Sequence, residues 1–213
     1  MKLLSVNVAL PRTVTWGGRT YPTSIFKEPV QGRVAMRRLN IDGDAQGNLN
    51  THGGVDMAAY VYPDDHYPHW RAVLKDESLS AGAFGENLTV SGMTEDAVHI
   101  GDTFRIGGAV VQVSEPRTPC HKLAMRYDSP AFPKTFLDSG RVGFYVRVIE
   151  PGEIGAGDAV LPVAADPAGL SVLEVLRLWE RKRPPREALE RALAVPALSA
   201  AWRAQLAEKR AGA

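Results

Sequence analysis

Three short segments of this chain gather residues suited to chemistry, and the first holds its single cysteine: Ser114-Glu115-Pro116-Arg117-Thr118-Pro119-Cys120-His121-Lys122-Leu123. Arg117, His121 and Lys122 surround the thiol with positive charge, which favours the thiolate that ligates metals or attacks electrophiles. Pro116 and Pro119 stiffen the segment and oppose a helix, so the sulfur is expected on a rigid loop after a strand. A small buried hydrophobe is the competing fate of a free cysteine, and these neighbours alone leave both readings open. The second segment is Thr51-His52-Gly53-Gly54-Val55-Asp56. Its glycines let backbone N–H groups approach an anion, with His52 and Asp56 on either side, although an ordinary tight turn has the same composition. In the third, Gly82-Ala83-Phe84-Gly85-Glu86-Asn87-Leu88-Thr89, a Glu-Asn pair leads into a strand, which by itself specifies no reaction.

Other constellations are weaker. His66 and His69 with Asp64 and Asp65 have the residue types of a metal site, but Pro68 disturbs the helical face that an i, i+3 pair needs, and a surface helix start explains them as well. There is no Ser-His-Asp order, no Walker loop and no paired-cysteine zinc pattern.

The elements that must position these residues are mostly strands. Leu4, Val6, Val8 and Leu10 alternate, which predicts an N-terminal strand with that set on one side. Thr103 to Ile106 and Ala109 to Ser114 flank Gly107-Gly108, a two-residue hairpin signal. Gly143 to Ile149 reads as a further strand closed by Glu150-Pro151-Gly152. Short helices are expected near Asp64 to Leu74 and Ala131 to Asp138. Most of the 20 glycines and 15 prolines punctuate this region, which argues for a curved or closed β structure. After Pro162 a linker from Val163 to Gly169 gives way to helical periodicity. Ser171-Val172-Leu173-Glu174 is a capping box; Val172, Val175, Leu176 and Trp179 follow at helical spacing, and Pro184-Pro185 ends that helix. Arg186 to Ala194 forms a second helix, and Leu198, Trp202, Gln205 and Leu206 mark a third. A unit of that size buries too little to stand alone comfortably, so it is expected to pack on the β region or on a partner.

Composition bounds the function classes. The 213 residues are 45% apolar and 23% charged, with a formal charge of +1, which excludes a mainly disordered chain and a chain-wide basic field for nucleic acid. The charge is uneven: residues 166–213 carry nine Lys/Arg against six Asp/Glu. Those nine are spread around three helices and not along one stripe, so a solvated bundle is favoured over a DNA reader. No uncharged stretch approaches the ~20 apolar residues of a membrane span, and Asn7 interrupts the only N-terminal run resembling a signal peptide. One cysteine and no secretion signal make the cytoplasm the expected compartment.

Together these segments resemble the MOSC family, the molybdenum-cofactor sulfurase C-terminal-like domain, and its stand-alone bacterial hydroxylaminopurine-reductase subgroup. The likeness runs through Thr23-Ser24-Ile25-Phe26-Lys27, Gly43-Asp44, His52-Gly53-Gly54-Val55-Asp56, Tyr62-Pro63, His66-Tyr67 with Trp70, Phe84-Gly85-Glu86-Asn87-Leu88, Pro116 to Leu123 and Val142-Gly143. The C-terminal helices resemble the small three-helix domain appended in that subgroup. The resemblance implies a mainly β, α+β fold: a MOSC-type β-barrel with short helices over residues 1–163, and a three-helix domain over residues 170–213. It implies a molybdopterin-type cofactor with Cys120 as the protein ligand to molybdenum. The soft thiolate suits that metal, and the pterin dithiolene supplies the other sulfurs. Lys27, Arg117 and the His52-Gly53-Gly54 turn would bind the pterin and its phosphate, and Asp56 and Asn87 would meet pterin nitrogens or a water. Met57 departs from the family's usual Lys or Arg.

The reaction so implied is the reduction of an N-hydroxylated base, R–NH–OH to R–NH₂ and water, a removal of hydroxylated base analogues. One cysteine cannot hold a cluster, so the two electrons would come from a separate flavin or iron–sulfur reductase, docked in part by the basic tail. Two alternatives stay open: a molybdenum-cofactor or sulfur carrier using Cys120 as a persulfide, and a binding module without cofactor.

Overall fold

The computed structural model describes residues 1–46 and 53–212. In the N-terminal part, β1 (Lys2–Val8) is followed by the hairpin β2 (Arg12–Trp16) and β3 (Arg19–Thr23), then β4 (Glu28–Pro29) and β5 (Arg33–Met36). After a 3-10 turn at Val55–Met57 come β6 (Ala59–Pro63), a second 3-10 turn at Asp64–His66, α1 (Tyr67–Leu74) and β7 (Leu88–Ser91). The hairpin β8 (Thr103–Ile106) and β9 (Ala109–Pro116) leads to α2 (His121–Arg126), α3 (Phe132–Asp138) and β10 (Phe144–Glu150). Then β11 (Gly152–Gly155), β12 (Val160–Ala164), α4 (Val172–Glu180), α5 (Arg186–Leu193) and α6 (Ala200–Ala211) complete the chain.

The strands form an eight-stranded mixed sheet in the order β12-β8-β9-β10-β6-β7-β1-β4, with β11-β5 and β2-β3 as separate pairs. Only β6 and β7 run parallel within the large sheet. The closed barrel expected from the resemblance is not what the ladders show: β12 pairs with β8, and its approach to β1 is an isolated bridge between Lys2 and Ala159. Two backbone bonds, Leu3 N–H to Asp158 O and Val160 N–H to Met1 O, accompany that bridge. The sheet curls until its ends touch without zipping shut, so the architecture is α+β with an open ladder.

The N-terminal strand is present, but its inward face is not the one that simple alternation predicts. A register shift between Leu3 and Ser5 buries both Leu3 and Val6 and turns Leu4 outward, while Leu10 lies beyond the end of the strand and is exposed. A bulge inserts one residue and flips every later side chain, which alternation in the sequence cannot reveal. Beneath the large sheet, Trp70, Tyr62, Tyr67, Phe84 and Phe136 are fully buried, with Tyr62 and Phe84 rings 4.7 Å apart and Trp70 and Phe136 rings 5.1 Å apart. This aromatic cluster joins α1, α3 and the loop 82–86 into one floor.

The capping box at Ser171 and Glu174 is formed as expected, with both reciprocal bonds present. Val172, Val175, Leu176, Leu189, Trp202 and Leu206 close the core of the helices. They pack on the β region: Ser199 N–H donates to Ser114 O, and Arg147 Nη2 reaches Ala197 O at 2.8 Å. At this junction Glu115 is buried with its Oε2 unpaired among the described residues, facing Ser199 at the N-cap of α6, Arg147 on β10 and Asp56 in the first 3-10 turn.

Burial pushes the Glu115 carboxyl up to about 7, with Asp56 adding to the rise and Ser199 and Arg147 opposing it. The folded chain therefore holds this proton where the unfolded chain, at the ordinary 4.5, has released it. Stability from Glu115 is present at low pH, falls as pH rises from about 4.5 to about 7, and is flat above. Glu115→Gln is expected to remove that loss and to stabilise the protein by about 2–3 kcal/mol at pH 8, with little gain at pH 4.5. Denaturant midpoints of both proteins at the two pH values check this, and an equal gain at both would refute it.

Candidate functional site

A cleft open on one side lies between the segment 23–27 that follows β3, the loop 82–86 and the loop that enters α2. Its walls include Lys27, Asp44, Gly53, Met57, Asn87, Arg117, Cys120 and Lys122. Of the residues selected from sequence, Lys27, Gly53, Asn87, Arg117 and Cys120 are thus brought together from four separate segments. His52 lies outside the described residues. Gly54 stands beside the cleft at the start of the 3-10 turn, with φ +90°.

Cys120 is half-buried and sits at the N-cap of α2 in extended conformation, so the helix begins one residue after it. The stiff loop expected from Pro116 and Pro119 ends at the cysteine, because Pro119 restrains its own φ and the residue before it but nothing beyond.

Arg117 is buried beneath the cleft. Its guanidinium lies 4.8 Å from the Tyr60 ring centroid and 5.3 Å from that of Phe136, and Nη2 reaches Phe84 O at 3.4 Å. Nη1 is buried and has no hydrogen-bond partner among the described residues. A buried guanidinium nitrogen left unpaired is costly, and in a cleft wall it is the mark of a site built for an anion. Lys122 adds a second cation to the lining.

Lys27 is ion-paired with Asp44, both almost fully buried. Burial pushes the Lys27 ammonium below its ordinary value, while Asp44 and Glu86 pull it back up. Asn87 orients this pair: its Nδ2 donates to Asp44 Oδ2 at 2.9 Å, and its Oδ1 accepts from Tyr60 N at 3.1 Å. Asn87 therefore lines the cleft with an amide already engaged by the protein. Asp44 stands out in the sequence only beside Gly43 within the family likeness, since its partner lies 17 residues earlier.

Glu86 shapes the wall. It is completely buried and accepts from Gly82 N at 2.7 Å, Phe84 N at 3.0 Å, Thr89 Oγ1 at 3.0 Å and the Tyr67 hydroxyl. The loop it holds presses against residues 25–27: a Cβ on Gly82 would stand 2.7 Å from Lys27 O, and one on Gly85 2.9 Å from the Ile25 side chain. Only glycine fits such an approach at positive φ. Tyr145 closes the floor; burial pushes its phenol up to about 12, against the pull of Arg117, so it stays protonated at neutral pH.

Asp56 is placed elsewhere. It is not part of the cleft lining, and its carboxylate pairs with Arg147 at 2.8 Å. A 3-10 turn presents successive side chains in different directions, and here Met57 takes the inward one. His66 is not placed as a ligand either: its Nε2 meets Glu95 Oε2 at 2.6 Å in the interior. Among the described residues no group of three or more His, Cys, Asp or Glu is placed to hold a metal ion. A metal at Cys120 would have to bring most of its own ligands. Among the same residues no helix is long and apolar enough to cross a membrane.

The cleft lies in a region that matches the MOSC domain over residues 48–161, and residues 170–213 match the YiiM-like, 3-alpha helix domain. The chain is 41% identical to YflK of Bacillus subtilis, over 98% of this chain and 94% of that protein. It is 35% identical to a reductase of Gibberella moniliformis over 83% of this chain, which is 32% of that protein's length. The crystal structure of YiiM from Geobacillus stearothermophilus superposes with a TM-score of 0.83 at 34% identity, covering 98% of both chains.

Proposed function

This chain belongs to the MOSC domain family, and on that premise we propose that it is a molybdenum-cofactor-dependent reductase. It removes oxygen from N-hydroxylated purines or related compounds, R–NH–OH to R–NH₂ and water. The observation that carries the reading is the pairing of a half-buried lone thiol with the unpartnered Nη1 of buried Arg117 in one cleft. The likeness to a protein named a reductase supports the redox class.

The residues present fit such a cofactor. Cys120 would supply the protein's thiolate, and Arg117 and Lys122 would hold the anionic groups, which need fixed donors. Gly53 would let the backbone approach closely. When bound, the cofactor supplies the two-electron redox chemistry. The chain's own part is binding and orientation. Phe84 excludes water from one side, the Lys27-Asp44 pair fixes the polar wall, and the neutral Tyr145 offers an Oη–H donor to a substrate oxygen. With one cysteine in the chain, the electrons come from a separate flavin or iron–sulfur reductase.

Metal and pterin analysis of protein purified from molybdenum-replete cells tests the reading. About one molybdenum and one pterin per chain are expected, as for a single-site cofactor protein. Absence of both overturns it, and a persulfide on Cys120 in metal-free protein would favour the sulfur carrier instead.

A further inference from the structure

Asp56 is the sequence-selected residue that the structure turns away from the cleft, yet its neighbours Gly53 and Met57 line it. This rim has little packing of its own. Among the described residues, Val55 is 62% exposed, no atom lies within 4 Å of a Cβ built on Gly54, and the local backbone bonds are Met57 N to Gly54 O and Ala58 N to Val146 O. Segments with so few buried contacts open at low free-energy cost unless something outside them holds them.

What holds this one is the junction with the C-terminal helices. Arg147 Nε and Nη2 lie 2.9 and 2.8 Å from Asp56 Oδ1. The same guanidinium donates through Nη1 to Gln112 Oε1 at 2.9 Å and through Nη2 to Ala197 O at 2.8 Å. Asp56 Oδ2 accepts from Ala200 N, in the first turn of α6, at 3.4 Å. Ser114 Oγ lies 2.6 Å from Asp56 O and 2.9 Å from the carbonyl of Tyr145, a cleft residue, and Ser114 O accepts from Ser199 N. A planar guanidinium with several fixed partners loses less freedom per bond than a lysine would, which suits a joint that must not flex.

We propose that Asp56 and Arg147 are positioning residues through which the C-terminal helices brace the rim of the cleft containing Cys120. The three-helix domain thereby acts on the site without contributing a residue to it. The brace concerns the same cleft as the reading above, but it is defined in the ligand-free chain.

Because Cys120 is the only cysteine, the alkylation rate of the whole protein by iodoacetamide reports on that cleft alone. In cofactor-free, full-length protein, Arg147→Met is expected to raise the rate about fivefold or more, the scale of losing one modest contact set. Arg147→Lys, which keeps a cation on Asp56, is expected to fall between it and the wild type. Val160→Ala in β12 removes buried core that belongs neither to the helices nor to the cleft lining; it should lower the melting temperature and leave the rate unchanged. Should Arg147→Met fail to fold, Asp56→Asn decides by the same rate. Wild-type alkylation in a folded brace variant, or an equal rise in Val160→Ala, overturns the proposal. A missing molybdenum signal would sink the cofactor reading and leave these rates untouched.

Discussion

Cys120→Ser is expected to bring molybdenum from about one per chain to background, a loss of affinity beyond the 10–100-fold that removing a mere supporting partner costs about a metal site. The donor-driven reduction of an N-hydroxylated base should disappear with it. The variant is informative because it spares the fold. Cys120 is half-buried, makes no side-chain cap bond and occupies the N-cap of α2, where serine is a favoured residue. Its stability should therefore stay within about 0.5 kcal/mol of the wild type, as for a substitution that touches no core or network. Metal content by mass spectrometry beside a thermal melt checks both halves. Retained molybdenum in the folded variant would mean that the metal is held without this thiol.

The second large effect is structural. Glu86→Ala leaves four buried donors, Gly82 N, Phe84 N, Thr89 Oγ1 and the Tyr67 hydroxyl, without their acceptor. The remaining partners cannot be reached by water, since Glu86 is completely buried, and Lys27 also loses one of the two carboxylates that oppose its burial. A cost of about 3–5 kcal/mol follows from stranding a buried charged network. For a chain of this length that is a fall of about 8–15 °C in melting temperature. The loop 82–86 should lose its close approach to residues 25–27, so ligand binding in the cleft weakens beyond what the melting point alone explains. Calorimetry of the ligand-free variant measures the first effect; a melting temperature within about 2 °C of the wild type would show that the donors find other acceptors.

Much of this site was legible because its chemistry is local. The lone thiol with Arg117 and Lys122 beside it, the paired glycines and the Glu-Asn step each stand out as residue types in short segments, and the cleft gathers Lys27, Gly53, Asn87, Arg117 and Cys120. Their assignments blurred where direction mattered. Asp56 reads as a ligand beside two glycines, but the 3-10 turn faces it toward Arg147, 91 residues away. Asn87 reads as a contact to ligand, yet its amide is spent on Asp44 and Tyr60. Asp44 itself gains meaning only from Lys27, 17 residues earlier in the chain.

The fold divides in the same way. The amino-acid sequence by itself determined the C-terminal helices, whose capping box, prolines and 3.6-residue periodicity act within a turn or two, and the β8-β9 hairpin, which two glycines close. It also determined that all thiol chemistry must fall on Cys120. Tertiary structure alone decided the bulge that turns Leu4 outward, the open ladder whose ends meet at Lys2 and Ala159, the unpaired Nη1 of Arg117 and the brace from Asp56 to α6. Local signals are written in neighbouring residues because helix and turn energetics are short-range. Which strand edges meet, and which buried charge is left without a partner, depends on segments that only packing brings within reach.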